Sequence, residues 1–148
     1  MKFPDFPALT KRIEKLHSRS SGEKGQWGKM NLGQMLVHCR MPYELALGRI
    51  KAKPEDNFFS RNIMRPLILK IPWPKGKSPT FRDFRTVELN LPVRGMADEI
   101  GALLEVMQAH AARTFDKTIH PLLGPMSLAE WEGLQRRHLD YHLRQFAA

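Results

Sequence analysis

The chain has 148 residues, one cysteine, 42% hydrophobic residues and a formal net charge of +9, from 24 basic and 15 acidic side chains. That length supports one hydrophobic core and leaves little for a second, so a single domain over residues 1–148 is expected. The lone Cys39 excludes a disulfide-stapled scaffold and a cysteine-rich zinc module; no apolar run reaches a membrane span, and Met1 to Pro7 carry no signal or transit pattern, so a soluble, cytoplasmic protein is expected.

The first helix is expected from about Pro7 to His17. Asp5 is placed to cap it, and Phe6, Leu9, Ile13 and Leu16 recur at helical spacing. A second helix opens at Asn31, with Gln34 as its capping-box partner, and carries the apolar stripe Leu32, Met35, Leu36, Cys39, Tyr43, Ala46, Leu47 and Ile50. Lys51 to Met96 form a long, proline-rich connection, in which a short helix near residues 60–70 and extended pieces near 85–91 are expected. The next helix starts near Ala97 and turns Ile100, Leu103, Leu104, Met107 and Ala111 inward, with Asp98 and Glu99 at its positive end. The last has the clearest start: Ser127 and Glu130 form a capping box, Met126 and Trp131 a hydrophobic staple, and it runs to Phe146.

Alternating β patterns are too sparse for a sheet core. The expected fold is therefore all-α: a four-helix bundle, up-down-down-up, with the long connection between helices two and three. In that order the second helix runs antiparallel to the last.

His138 and His142 lie four residues apart on the last helix, about 20° on either side of the direction of Trp131, and so face the bundle interior. Glu132, Arg136, Arg137, Asp140 and Arg144 fall on the opposite arc. A single inward histidine is an ordinary core residue bonded to a carbonyl. Two stacked in an apolar seam each need a polar partner, and a shared metal ion would satisfy both. His38 is the expected third ligand: it lies roughly 10 Å along the second helix, level with His138 and His142 in an antiparallel pair at about 1.5 Å per residue. Pro42 removes the helical donor for the carbonyl of residue 38. His17 reads as surface, His110 sits late in the third helix, and His120 is expected at the end of the bundle opposite His138.

Cys39 reads as a small buried hydrophobe rather than a nucleophile, Ser127 as a cap, and the glycines from Gly22 to Gly28 as a weak cluster. Glu44 and Asp140 lie off the inward arcs, so a general base would have to come from Glu88, from elsewhere in the connection, or from the metal centre itself.

The charge has its own distribution. Residues 1–30 carry seven basic groups against three acidic ones, and residues 61–90 seven against two. Arg61, Arg65, Lys70, Lys75, Lys77, Arg82 and Arg85 alternate with Phe58, Phe59, Trp73, Phe81 and Phe84, which would suit a single-stranded nucleic acid. A solvated face with aromatics pinning the connection down ranks above that reading, and a lid that binds an anionic substrate lies between them.

Four stretches carry a family resemblance: W-G-K-M at 27–30, running on into N-L-G-Q-M-L-V-H-C at 31–39; P-W-P-K-G-K at 72–77; H-P-L-L-G at 120–124; and H-L-D-Y-H-L-R-Q-F at 138–146. Together with Trp131 these resemble the DinB/YfiT-like superfamily, and most closely a short, uncharacterised DUF-type bacterial branch of it. The resemblance covers Trp27 to Phe146. It implies a bundle that is often a homodimer, with a divalent metal held by three histidines, and it maps those ligands onto His38, His138 and His142. Tyr141 stands where relatives often have a further histidine.

Three neutral imidazoles leave a coordination position open, the pattern of a catalytic rather than a structural centre. Zinc or nickel is the foremost expectation, and iron, manganese or copper would also serve. The resemblance implies a small-molecule substrate, such as a low-molecular-weight thiol, and a transferase or a hydrolase. A non-catalytic metal-binding protein is the first alternative.

Overall fold

The computed structural model describes residues 4–77, 84–85, 89–113 and 118–148. Along the chain lie helix α1 (Phe6–Glu14), a 3-10 turn (Lys15–Ser18), α2 (Leu32–Ala46), a π-turn (Ser60–Met64) leading into α3 (Arg65–Lys70), α4 (Met96–Ala112), strands β1 (Thr118–His120) and β2 (Gly124–Met126), and α5 (Leu128–Gln145). The expectation of a four-helix bundle is therefore corrected. Among the described residues there are five α-helices and a small antiparallel sheet in which Thr118 pairs with Met126 and His120 with Gly124. The fold is mostly helical, but a hairpin and a helical connection complete it.

The helix starts follow local chemistry. The Asp5 carboxylate accepts from Ala8 N, and the Asn31–Gln34 and Ser127–Glu130 pairs each make both capping-box bonds. The ends fall short of expectation: α1 tightens to a 3-10 turn after Glu14, and α2 stops at Ala46. Within the connection, Arg65 N donates to Ser60 O, five residues back, just before Pro66, which has no N–H to offer.

Contacts along the long helices set their directions. Arg40 and Arg49, on and just beyond α2, meet Glu99 and Glu105 of α4, so these two helices run the same way. Leu45 and Ala46 of α2 pack with Trp131 and Leu134 of α5 while His38 meets His138, so α5 runs against α2. One apolar cluster joins α1, α2, α4 and the C-terminal half of α5 through residues such as Leu9, Leu36, Leu103 and Leu143. A second packs the hairpin, through Leu123 and Met126, against Trp131 and the end of α2. Trp131 is fully buried, and its indole N–H donates to Thr118 O at 3.2 Å, anchoring β1 to α5.

The basic connection is divided in its use. Arg61 pairs with Asp56 and lies against Gly124, and Arg65 donates to Pro125 O at 2.7 Å, so both dock α3 on the hairpin. Phe84 is buried and Trp73 packs against the second apolar cluster, so these two pin the segment down as expected, whereas Phe58 and Phe59 are exposed and do not. Arg137, on the arc opposite the inward histidines, is nevertheless buried, and it donates to the carbonyls of Leu69 and Ile71 at the end of α3. Phe81, Arg82 and Glu88 lie outside the described residues, as do residues 86 and 87; in the rest of the stretch expected to be extended, Leu89 N donates back to Arg85 O at 3.0 Å and residues 89–90 form a turn, which corrects that expectation. Among the described residues, no helix is long and apolar enough to cross a membrane.

Candidate metal centre

The antiparallel pairing of α2 and α5 brings His38, His138 and His142 together. Each pair of imidazoles has its ring centres 4.7 Å apart, with the planes steeply inclined to one another. One ligand nitrogen from each ring lies within 4.8 Å of the others, and all three residues are buried. This group can hold a metal ion.

Hydrogen bonds behind the rings decide which nitrogens are free. His38 Nδ1 lies 2.5 Å from Phe84 O. A carbonyl only accepts, so Nδ1 carries the hydrogen and Nε2 the lone pair. His142 Nδ1 lies 2.8 Å from Gln145 Oε1, and the amide is oriented by its other end, where Gln145 Nε2 donates to Trp27 O at 2.5 Å. That leaves a lone pair on His142 Nε2, which is buried with no hydrogen-bond partner among the described residues. His138 Nε2 stands 2.8 Å from His38 Nε2. Two lone pairs would repel at that separation, so His138 Nε2 donates to His38. To offer a lone pair instead, His138 need only move its hydrogen to Nδ1.

Burial is the main electrostatic influence. It lowers His38 against the pull of the Phe84 carbonyl, and with His38 nearby it brings His142 to about 3. His138 is lowered well below the usual range, by burial first and then by His142, His38 and His120. All three rings are therefore neutral at physiological pH, the form that donates to a metal.

The family-like motifs converge on these rings. Tyr141 OH accepts from Trp27 Nε1 at 3.2 Å and from Gly76 N at 2.8 Å, tying W-G-K-M and P-W-P-K-G-K to α5. Trp73 packs near both His138 and Tyr141, and Lys75 lies over the Trp27 ring. The weak glycine cluster has a use here. Gly28 has φ +81°, and a Cβ there would stand 2.5 Å from Gln145 Nε2; at Gly25 it would stand 2.9 Å from Gln145 Cγ. Small residues at both positions let the chain close over the side chain that holds His142.

The remaining histidines are sorted by the fold. His17 is exposed, and buried His110 meets Tyr43 edge-on, with ring centres 5.4 Å apart. The expectation that His120 sits at the far end of the bundle is corrected: it lines the same cavity as His38 and His138. The hairpin, invisible to helical periodicity, folds it back over Trp131, with ring centres 5.1 Å apart. Glu44 pairs with Arg40, and Asp140 with Arg12 and Arg144, so neither acid is free for the site. Cys39 is fully buried against Met35, and burial pushes its thiol up, away from the nucleophilic thiolate. Sequence reasoning missed Phe84 O, Gln145 and Gln135; of these Gln145, three residues beyond His142, and Gln135, three before His138, had a readable spacing on the helix face.

Fold and site together define a mostly helical protein with a buried three-histidine group. The chain belongs to the DUF1569 family, described as a protein of unknown function, whose family model matches residues 1–148. No curated protein and no solved structure matches it.

Proposed function

We propose that His38, His138 and His142 bind one divalent metal ion through their Nε2 atoms, and that the chain is a metal-dependent enzyme acting on a small molecule. The observation that carries this is the aim of the nitrogens: two outer N–H groups are held by oxygen acceptors, and a buried Nε2 on His142 has no partner among the described residues. Leaving such an atom unpaired costs about 1–3 kcal/mol, which a ligand to all three rings would recover. The resemblance to DinB-like proteins supports the same reading, including a thiol-dependent transferase or a hydrolase as the reaction type.

Zinc and nickel suit nitrogen donors and are the first metals to test. The ion would supply a Lewis acid able to activate a thiol, a water or a carbonyl. The chain supplies the rest: neutral rings, fixed tautomers at His38 and His142, and a largely apolar surround. The test is metal analysis of the purified protein beside His38→Ala and His142→Ala. One equivalent in the wild type and little in either variant supports the centre. No uptake by the wild type when offered zinc and nickel, or equal uptake by the variants, ends it.

A further inference from the structure

Beside the three histidines, a cavity of about 40 Å³ runs from His38 and His138 to His120. At about 10–15 Å³ for one water, that is room for about three water-sized groups, the polar end of a small molecule. Ile68, Trp73, Leu122 and Leu134 make its walls largely apolar, and no described residue lining it carries a formal charge.

Two of its polar side chains have bonding capacity that the fold leaves unused. His120 is 8% exposed, and its Nδ1 accepts from Leu122 N and Leu123 N, both at 3.1 Å. With the lone pair on Nδ1, the neutral ring must carry its hydrogen on Nε2. Burial keeps the ring neutral by lowering it to about 4. Gln135 is 1% exposed, and among the described residues neither its amide oxygen nor its nitrogen has a hydrogen-bond partner. It precedes His138 by three residues and so shares that face of α5. It also borders a second cavity, beside Tyr43 and Arg136.

We propose that His120 and Gln135 form the recognition end of a substrate pocket for a small, mostly apolar molecule bearing one uncharged carbonyl-type group. His120 Nε2 and Gln135 Nε2 donate to its oxygen, while the Gln135 oxygen accepts from an N–H or O–H beside it. The lack of formal charge in the lining argues against an anion there, and the two donors select an acceptor. This inference rests on the metal centre proposed above, because it places the carbonyl next to His38 and His138.

The test uses cobalt-loaded protein with acetohydroxamate as the probe, followed by the visible spectrum. His120→Asn keeps an acceptor where Nδ1 stands and removes the Nε2 donor; Gln135→Leu keeps the volume and removes the amide. Both variants should take up cobalt like the wild type and bind the probe about tenfold or more weakly, the loss of one useful hydrogen bond. Wild-type probe affinity in both variants overturns the proposal. If the wild type takes up no cobalt, the metal centre fails by itself. The donor is then read by nitrogen NMR of the His120 ring in metal-free protein: a protonated Nε2 supports the pocket, and a protonated Nδ1 overturns it.

Discussion

Gln145 accepts a hydrogen bond from His142 at 2.8 Å and donates one to Trp27 O at 2.5 Å, so one side chain fixes both the tautomer of the ring and the loop before α2. Groups that orient a metal-binding histidine in this way commonly change metal affinity about 10- to 100-fold when removed. Gln145→Leu should therefore fold and bind zinc about 10- to 100-fold more weakly, read by competition with a chromophoric chelator. Unchanged affinity would show that Gln145 only closes the loop.

Gly28 bears on the same contact from the other side. Its positive φ is strained for any residue with a Cβ, and that Cβ would stand 2.5 Å from Gln145 Nε2. Gly28→Ala should cost about 1–3 kcal/mol in urea unfolding and weaken zinc binding, because Gln145 must move. Gly101→Ala is the control: nothing lies within 4 Å of its added Cβ, and in a helix it should be neutral or slightly stabilising.

Legibility in the sequence followed the range of the interactions. Capping boxes at Asn31 and Ser127 are decided within four residues, and both were readable. So was the meeting of His38 with His138 and His142, because two regular helices convert residue number into height. The hairpin was not readable. Its strands are three residues long, one of them contains Pro125, and no alternation announces them. Missing it misplaced His120 and gave too simple a fold. Phe84 contributes only a carbonyl, which every residue has, and the burial of Arg137 was hidden because its partners are backbone oxygens at the end of a helix distant in sequence.

Glu99 ties α4 to α2 and to the segment before α4. It is 1% exposed, accepts from Arg94 Nε at 2.9 Å and lies 3.3 Å from Arg40. Burial alone would raise its carboxyl, but Arg94 and Arg40 together hold it below the usual range. Glu99→Gln keeps the shape and removes the charge, leaving Arg94 without its carboxylate and Arg40 with Glu44 alone. A loss of about 2–3 kcal/mol is expected at pH 7, read from the shift of the denaturation midpoint.

The buried histidines set the pH response of the metal-free protein. Their folded values lie below the unfolded value of 6.5, with His142 at about 3 and His120 at about 4. Below pH 6.5 the unfolded chain therefore binds more protons than the folded one, so stability falls as the pH falls, until the folded values are passed. For His142 and His120 the loss between pH 7 and 5 is about 2 kcal/mol each. His38 and His138 act in the same direction. Urea midpoints should hence drop steeply from pH 6.5 to 5, and the slope should shrink by about one proton in His142→Gln. A flat profile over that range would mean that the rings are hydrated and titrate normally, and burial would then no longer account for neutral ligands at the centre.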